Sequence, residues 1–249
     1  MPLRVLVLLP FLWGWTTSTI AQESCEKTCV KILMADRLSL PTQSVSREIF
    51  DAVFSGTKFQ ASFLTSSNRR ALRSVQSGEA DIYLFKSQVY QQGIFPGGIP
   101  LGQTYLQVIS LDTSIPLESL NSQAFVGAGV RGDGLGFLMK QVKEFINVDS
   151  YQQAVDLLQK GRVDFFLDYE TEIKSQLLAA GADAERFVIR NLRGPVPLFP
   201  IFHVGEKGQA LNQIYMEWMQ RSLKSGALLA ILRKHGRENA FPAAFVAKK

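Results

Sequence analysis

Two similar stretches decide the fold: VQSGEADIYLF at residues 75–85 and LQKGRVDFFLD at residues 158–168. Each begins at the end of a helical pattern, passes through a glycine and two further residues, and reaches an aspartate just before an apolar run. Glycine commonly ends a helix, and a short apolar run after such a turn favours a buried strand. The same arrangement in both halves predicts two lobes of similar build.

Strand and helix patterns alternate on both sides of these stretches. Asn68 and Ser150 are predicted to cap the helices that they begin. The β-α-β order predicts an α/β protein in which mainly parallel sheets are flanked by helices. The predicted strands cover residues 30–35, 58–64, 81–85, 105–111, 163–167 and 187–189, and the predicted helices cover residues 44–54, 68–76, 135–145, 151–160, 170–180, 209–223 and 228–234.

Two stretches interrupt the alternation and are predicted to be connectors. The first is residues 112–116, DTSIP. The second is the proline-rich segment NLRGPVPLFPIFHV at residues 191–204, which is predicted to end in a strand.

The N-terminal segment has the pattern of a secretory signal. Arg4 precedes an apolar run that ends in small residues at Ala21. A membrane anchor is the alternative, but a spanning helix needs about 20 apolar residues. Residues 1–21 are therefore predicted to be a cleaved signal peptide, which places the mature protein in the periplasm without stable membrane insertion.

Composition and charge limit the function classes. Hydrophobic residues make up 46% of the chain and charged residues 20%, as in an ordinary globular protein. The net charge of +5 is mild, and the densest basic group, Arg69, Arg70 and Arg73, fits one solvated helix face. Nucleic-acid binding is therefore not expected.

The chain has two cysteines, Cys25 and Cys29, both close to the predicted mature N-terminus. An exported protein enters an oxidising compartment, so a disulfide between them is predicted. A metal pair is the alternative, but no histidine lies nearby in the sequence.

The order of these elements resembles that of the type 2 periplasmic solute-binding proteins, and most closely family 3, which serves the uptake of polar amino acids. The matching segments are VQSGEADIYLF at residues 75–85, LESLNSQAFVGAGVRGDG at 117–134, SYQQAVDLLQKGRVDFFLDY at 150–169 and LNQIYMEWMQRSLKSGALLAILRKHG at 211–236. Together they extend over nearly all of the predicted mature chain.

The resemblance implies a two-lobe α/β fold that closes around a small-molecule ligand. Lobe 1 would comprise residues 22–112 and 192–249, and lobe 2 residues 113–191. The chain would cross between the lobes near residues 112–116 and 191–197. An ABC permease is the implied partner, the protein is expected to be a monomer, and no cofactor is expected.

The resemblance also proposes ligand-binding residues. The family's arginine clamp for a carboxylate, after the strand that Asp81 opens, is missing here, and Lys86 is the nearest cation. Asp168 matches the acid that receives an ammonium group. The segment GVRGDG at 129–134, with Gly129 and Arg131, matches the loop that meets the carboxylate. Asp36 and Arg37, after the first strand, are further candidates.

Each of these residues has a purely structural alternative. Lys86 and Arg131 could be solvent-facing, and Asp168 could cap the helix that follows it. If they are, the fold could serve as a sensory or interaction module without transport. A dehydratase-like enzyme is the third class, but His203 and His235 are the only histidines and form no catalytic pattern. The prediction is therefore a binding protein, not an enzyme.

Overall fold

A computed structural model describes residues 28–35, 40–86, 91–131, 135–169 and 173–242. The predicted signal peptide and Cys25 lie outside these ranges. The strands are β1 (Thr28–Ala35), β2 (Phe59–Ser66), β3 (Ile82–Lys86), β4 (Ile94–Pro96), β5 (Gly102–Ser110), β6 (Val126–Val130), β7 (Glu144–Val148), β8 (Phe165–Tyr169) and β9 (Val188–His203). The helices are α1 (Leu40–Phe54), α2 (Asn68–Gln76), α3 (Tyr151–Gln159), α4 (Ile173–Ala179), α5 (Glu206–Ser225) and α6 (Ala227–Lys234).

The described strands join in one path with the order β2-β1-β3-β9-β5-β8-β6-β7, and β4 pairs with β9 beside it. Within each half the neighbouring strands are parallel: β2, β1 and β3 in the first half, and β8, β6 and β7 in the second. Strands β5 and β9 run antiparallel to their neighbours between the two halves. The predicted parallel character is therefore confirmed within each half.

Strand β9 belongs to both halves. Its first part, residues 188–198, pairs with β5, and its last part, residues 199–203, pairs with β3 and β4. Nearly all of the proline-rich segment therefore lies in this 16-residue strand, so the predicted connector is extended along its length and not only at its end. Pro195 and Pro197 are tolerated because β9 pairs on one side only in that part of its length.

Each half has its own hydrophobic core. In the first half, β1 packs against α1, α5 and α6 around buried residues such as Ile32, Phe50 and Tyr215. In the second half, Leu106 and Leu167 belong to one cluster, and Phe166 to another that lies under α3 and α4. The packing of Leu106 favours a crossing of the chain before this residue, earlier than residues 112–116. The precise lobe boundaries stay a prediction.

The two repeated aspartates have the same structural role. The Asp81 carboxylate accepts a hydrogen bond from the backbone amide of Lys31 at 2.8 Å, near the start of β1. The Asp164 carboxylate accepts one from the amide of Val126 at 2.7 Å, at the start of β6. Each aspartate therefore links the start of its own strand to the neighbouring parallel strand. The repeated sequence pattern corresponds to a repeated structural contact.

Two local predictions were wrong. Residues 135–145 are not a helix: a 3₁₀ turn at Leu135–Leu138 is followed by β7. The Phe145 ring packs so tightly over Gly129 that a Cβ there would lie 2.8 Å from it, and this contact favours the strand. Asn68 does not cap α2 and instead accepts a hydrogen bond from the Tyr83 hydroxyl at 2.7 Å. The Ser150 cap of α3 is confirmed by its bond from the Gln153 amide.

Candidate functional site

A cavity of about 510 Å³ lies where β5 and β9 pass between the two halves. Its volume is in the range of small-molecule sites. Its described wall combines apolar and polar surface in nearly equal parts and includes one tyrosine and one arginine. The lining residues are Leu106, Leu138, Tyr169, Arg193, Gly194, Pro195, Val196 and Pro197.

Three of these residues form a row across adjacent strands, which we call the cavity row. Leu106 on β5 lies opposite Arg193 on β9 and opposite Tyr169 on β8. Tyr169 packs against the same hydrophobic cluster as Leu106, and all three residues line the cavity. The cavity row therefore places an arginine and a tyrosine on the two strands that flank a buried leucine.

A β-bulge in β9 lies beside the cavity row. Thr104 pairs with Val196 and Leu106 with Arg193, so Tyr105 alone faces two residues of β9, Gly194 and Pro195. The Tyr105 ring occupies the space of a side chain at Gly194, where a Cβ would lie 2.5 Å from the ring. Glycine at this position allows the close approach of the two crossing strands.

The two arginines of β9 differ in their bonding. The Arg190 guanidinium donates to the backbone carbonyls of Thr113 at 3.4 Å and Ile115 at 2.7 Å, which fixes the segment after β5. The Arg193 side chain is exposed and forms no hydrogen bond or ion pair with any residue that the structure describes. Arg193 is therefore available to an anion in the cavity.

A second row, which we call the polar row, lies one residue further along β5 and faces the other side of the sheet. Gln107 lies opposite Asp168 on β8 and opposite Asn191 on β9, and it donates to the Asn191 side chain at 2.7 Å. Asp168 is buried, with 6% of the residue exposed. It accepts bonds from the Tyr151 hydroxyl of α3 and from the backbone amide of Tyr169.

The structure does not bring Arg131 and Asp168 to one cavity. The Arg131 Nε pairs with the Asp149 carboxylate at 2.7 Å. Asp149 follows β7, which lies on the opposite side of β6 from β8. The Arg131 side chain thus turns toward the sheet edge, away from Asp168. Neither residue lines the described wall of the cavity, and their ligand roles stay predictions.

The other predicted residues are only partly described. Gly129 lies within β6, not in a loop, and makes room for the Phe145 ring. Lys86 is the last residue of β3 and pairs with Phe199, but its side chain lies outside the described part of the chain. Asp36 and Arg37 also lie outside it, so their roles stay predictions.

Cys29 lies on β1 and is half-buried. It forms no disulfide with any described residue. Because Cys25 lies outside the described ranges, the Cys25–Cys29 pairing stays a prediction.

Neither histidine lies at the cavity. The His203 ring bonds to the Val75 carbonyl through Nδ1 at 2.9 Å. The His235 Nε2 lies 2.8 Å from the Glu48 carboxylate, and hydrogen bonds from His235 and Lys234 hold the pKa of Glu48 below its usual value. Within the described ranges no cluster of side chains could hold a metal ion, and no helix combines the length and apolar character of a membrane span.

No protein-family profile and no curated protein sequence matches this chain. Solved structures do match it. One comes from a study of glutathione import in Gram-positive bacteria via GshT and the cystine ABC importer TcyBC of Streptococcus mutans, with a TM-score of 0.65 at 14% identity over 87% of this chain and 98% of the other. The chain has the fold of the type 2 periplasmic solute-binding proteins. The predicted two-lobe α/β architecture is confirmed.

Two further structures have the same periplasmic-binding-protein fold. An ABC uptake transporter substrate-binding protein from Streptococcus pneumoniae with bound histidine has a TM-score of 0.65 at 13% identity, over 86% of this chain and 94% of the other. An ancestral amino acid-binding protein, a precursor of cyclohexadienyl dehydratase, has a TM-score of 0.60 at 13% identity, over 83% and 94%.

Sequence reasoning missed Arg193, although a signal for it was present. The residue falls in the segment that the resemblance predicted to cross between lobes, and a crossing segment borders the cleft. A single arginine beside Gly194 forms no motif of its own, so its place at the cavity depends on the path of β9.

Proposed function

We propose that this protein is a periplasmic solute-binding protein that captures a small polar solute between its lobes and delivers it to an ABC permease. The cavity of about 510 Å³ at the crossing strands carries the proposal. Solute capture at this position fits the fold, because hinge closure about the crossing strands would enclose the ligand.

Three further observations support a binding role. The structural neighbours include substrate-binding proteins of ABC transporters. The described cavity wall combines aliphatic side chains with polar groups that could orient a ligand. Neither histidine lines the cavity, and its described wall holds no nucleophile paired with a base. We therefore propose a binding protein rather than an enzyme and, as the resemblance implies, a monomer.

A thermal-shift screen tests this function. Amino acids, amines and small organic acids would be added one at a time to the purified mature protein. A ligand at about 100 times its Kd adds about 2.7 kcal/mol to the free energy of unfolding. For a protein of this size we expect the melting temperature to rise by about 5–10 °C.

A matched pair of variants locates the binding site. Leu138 lines the cavity and is 36% exposed, and Leu178 on α4 is 63% exposed outside it. Leu138→Trp should fill the cavity and abolish the ligand-induced shift, whereas Leu178→Trp should leave it unchanged. A full shift in Leu138→Trp would place the ligand elsewhere, and the absence of any shift with all three ligand classes would favour the sensory or interaction module.

A further inference from the structure

We infer that Tyr105 is a positioning residue for the cavity: its ring, held against Gly194, fixes the angle between the two halves of the molecule, although Tyr105 does not itself line the described wall. In linking this contact to solute capture, the inference rests on the proposed function. It adds a residue that controls the site from behind the wall.

The crossing strands pass from one hydrophobic core to the other over a short stretch. Leu101, just before β5, packs in the core of the first half, and Leu106 packs in a core of the second half. On β9, Leu192 packs against the second-half cluster and Phe202 belongs to the first-half core. A movement of one half relative to the other therefore has to bend β5 between residues 101 and 106 and β9 between residues 192 and 202.

The β-bulge beside the cavity row lies inside both of these stretches. The pairing of β5 with β9 shifts register between Thr104 and Leu106. On β9, Pro195 and Pro197 have no backbone N–H and cannot donate to a neighbouring strand. A bulge interrupts the ladder of hydrogen bonds and allows a strand to bend. The bulge is therefore where the two crossing strands should bend most easily.

The Tyr105 ring opposes bending at this point. Tyr105 is half-buried, and its ring lies so close to Gly194 that a Cβ there would be 2.5 Å from Cδ1 and 3.0 Å from Cγ. If the angle between the strands changed, the ring would have to slide over the glycine backbone. Contacts of this density resist such a displacement, because packed groups lose their contacts before they find new ones.

Gly194 connects this contact to the cavity. Gly194 lines the cavity, as do its neighbours Arg193 and Pro195, whereas Tyr105 is not among the described lining residues. The ring therefore supports this part of the wall from behind. A change of angle at the bulge would move Arg193 relative to Leu106 on the facing strand, and would alter the space that a solute has to fit.

Pulsed electron paramagnetic resonance measures the angle between the halves as a distance. Spin labels on Leu64→Cys of β2 and Leu178→Cys of α4 lie in different halves, at positions that are 49% and 63% exposed. Cys25 and Cys29, the two native cysteines, are replaced by serine so that they do not react. Without added solute, we expect one narrow distance distribution in this labelled protein and a broader one when Tyr105→Ala is added.

Two ring variants assign the effect to the contact. Tyr105→Phe keeps the ring and should keep the narrow distribution. Phe125→Ala is the matched control, because Phe125 is also half-buried but packs in the second-half cluster that contains Leu106. Its loss should lower stability without broadening the distances between the halves.

A glycine pair tests the contact from the other strand. Gly194→Ala places a methyl group against the Tyr105 ring and should shift the mean distance, and Tyr105→Ala in the same chain should remove that shift. Gly181→Ala is the control: Gly181 also has a positive φ, 70°, but nothing lies within 4 Å of a Cβ there. This variant should leave the mean distance unchanged.

Several results would overturn the inference. A distribution in Tyr105→Ala as narrow as that of the labelled protein would do so, and so would equal broadening in Phe125→Ala. If circular dichroism shows that Tyr105→Ala does not fold, the glycine pair decides, and an unchanged mean distance in Gly194→Ala contradicts the contact.

The thermal-shift screen then separates this inference from the proposed function. Each compound that stabilises the wild type should raise the melting temperature of Tyr105→Ala less at the same concentration, because fewer molecules hold the binding geometry. An equal rise would overturn the role of Tyr105 at the cavity while solute binding stands. If the distances change as expected but no compound binds, the contact still fixes the angle and the proposed function fails.

Discussion

The cavity row and the polar row lie side by side on the same three strands but face opposite sides of the sheet. In the cavity row, Arg193 and Tyr169 flank Leu106, and the guanidinium has no described partner. In the polar row, Asn191 bonds to Gln107, and Asp168 is buried with its carboxylate bonded to Tyr151. Neighbouring positions along β5 therefore lie beside two different charged groups: the Arg193 guanidinium, which has no described partner, and the Asp168 carboxylate, which is hydrogen-bonded inside the protein.

This difference shows how polar residues divide between stability and binding. A buried polar group whose partners lie inside the protein contributes to the folded state, and the loss of one partner is costly. A charged group beside a cavity contributes little to folding and remains available to a ligand. Mutations in the polar row should therefore lower the free energy of unfolding, whereas a mutation of Arg193 in the cavity row should leave it nearly unchanged.

The largest effect on stability is expected for Asp168→Ala. This change leaves the Tyr151 hydroxyl without its carboxylate partner under α3. Because hydrogen bonds to charged groups contribute about 1.5–3 kcal/mol, the free energy of unfolding should fall by that amount in denaturant titrations. A double-mutant cycle with Tyr151→Phe should give a coupling energy of at least about 0.5 kcal/mol. Additive effects would mean that the two side chains do not support each other.

A smaller effect is expected for Gln107→Leu. Gln107 is 9% exposed and donates to Asn191, which is itself exposed and can bond to water instead. The variant loses one neutral hydrogen bond and leaves no buried partner unsatisfied, so the cost should be about 0.5–1.5 kcal/mol. The matched control is Gln152→Leu, an exposed glutamine on α3 that should have a smaller effect. Equal losses in the two variants would contradict the importance of the polar row.

The smallest effect on stability is expected for Arg193→Met without ligand. The side chain is exposed and has no described partner, so the free energy of unfolding should stay within about 0.5 kcal/mol of the wild type. Thermal melts of the unliganded protein measure this directly. A decrease of more than about 1 kcal/mol in the free energy of unfolding would show that Arg193 has a structural role like that of Arg190. The cavity row would then stabilise the fold as the polar row does.

Much of the fold could be predicted because local signals and tertiary contacts agree. Asp81 and Asp164 lie at strand mouths in the sequence and in the structure, and the Ser150 cap forms as its position indicated. The helix predicted over residues 135–145 failed because the Phe145 ring needs the space above Gly129, a contact that local patterns do not reveal.

The candidate site could be predicted less well because it depends on side-chain direction. The sequence places Arg131 and Asp168 at the ends of neighbouring strands, where they could have met. Which way each side chain turns is decided by Asp149 beyond β7 and by Tyr151 on α3, and both are tertiary partners. The position of Arg193 at the cavity follows from the path of the proline-rich segment, which is a strand that borders the cavity.

The path of β9 also has a consequence for the order in which the chain can be completed. Once residue 198 has emerged, every described strand of the second half of the sheet is present. The first half still lacks residues 199–203, which cover the edge of β3, and it lacks α5 and α6, which close its core. The half that is begun first during synthesis is therefore finished last, and until β9 is in place the edge of β3 is open to pairing with another chain.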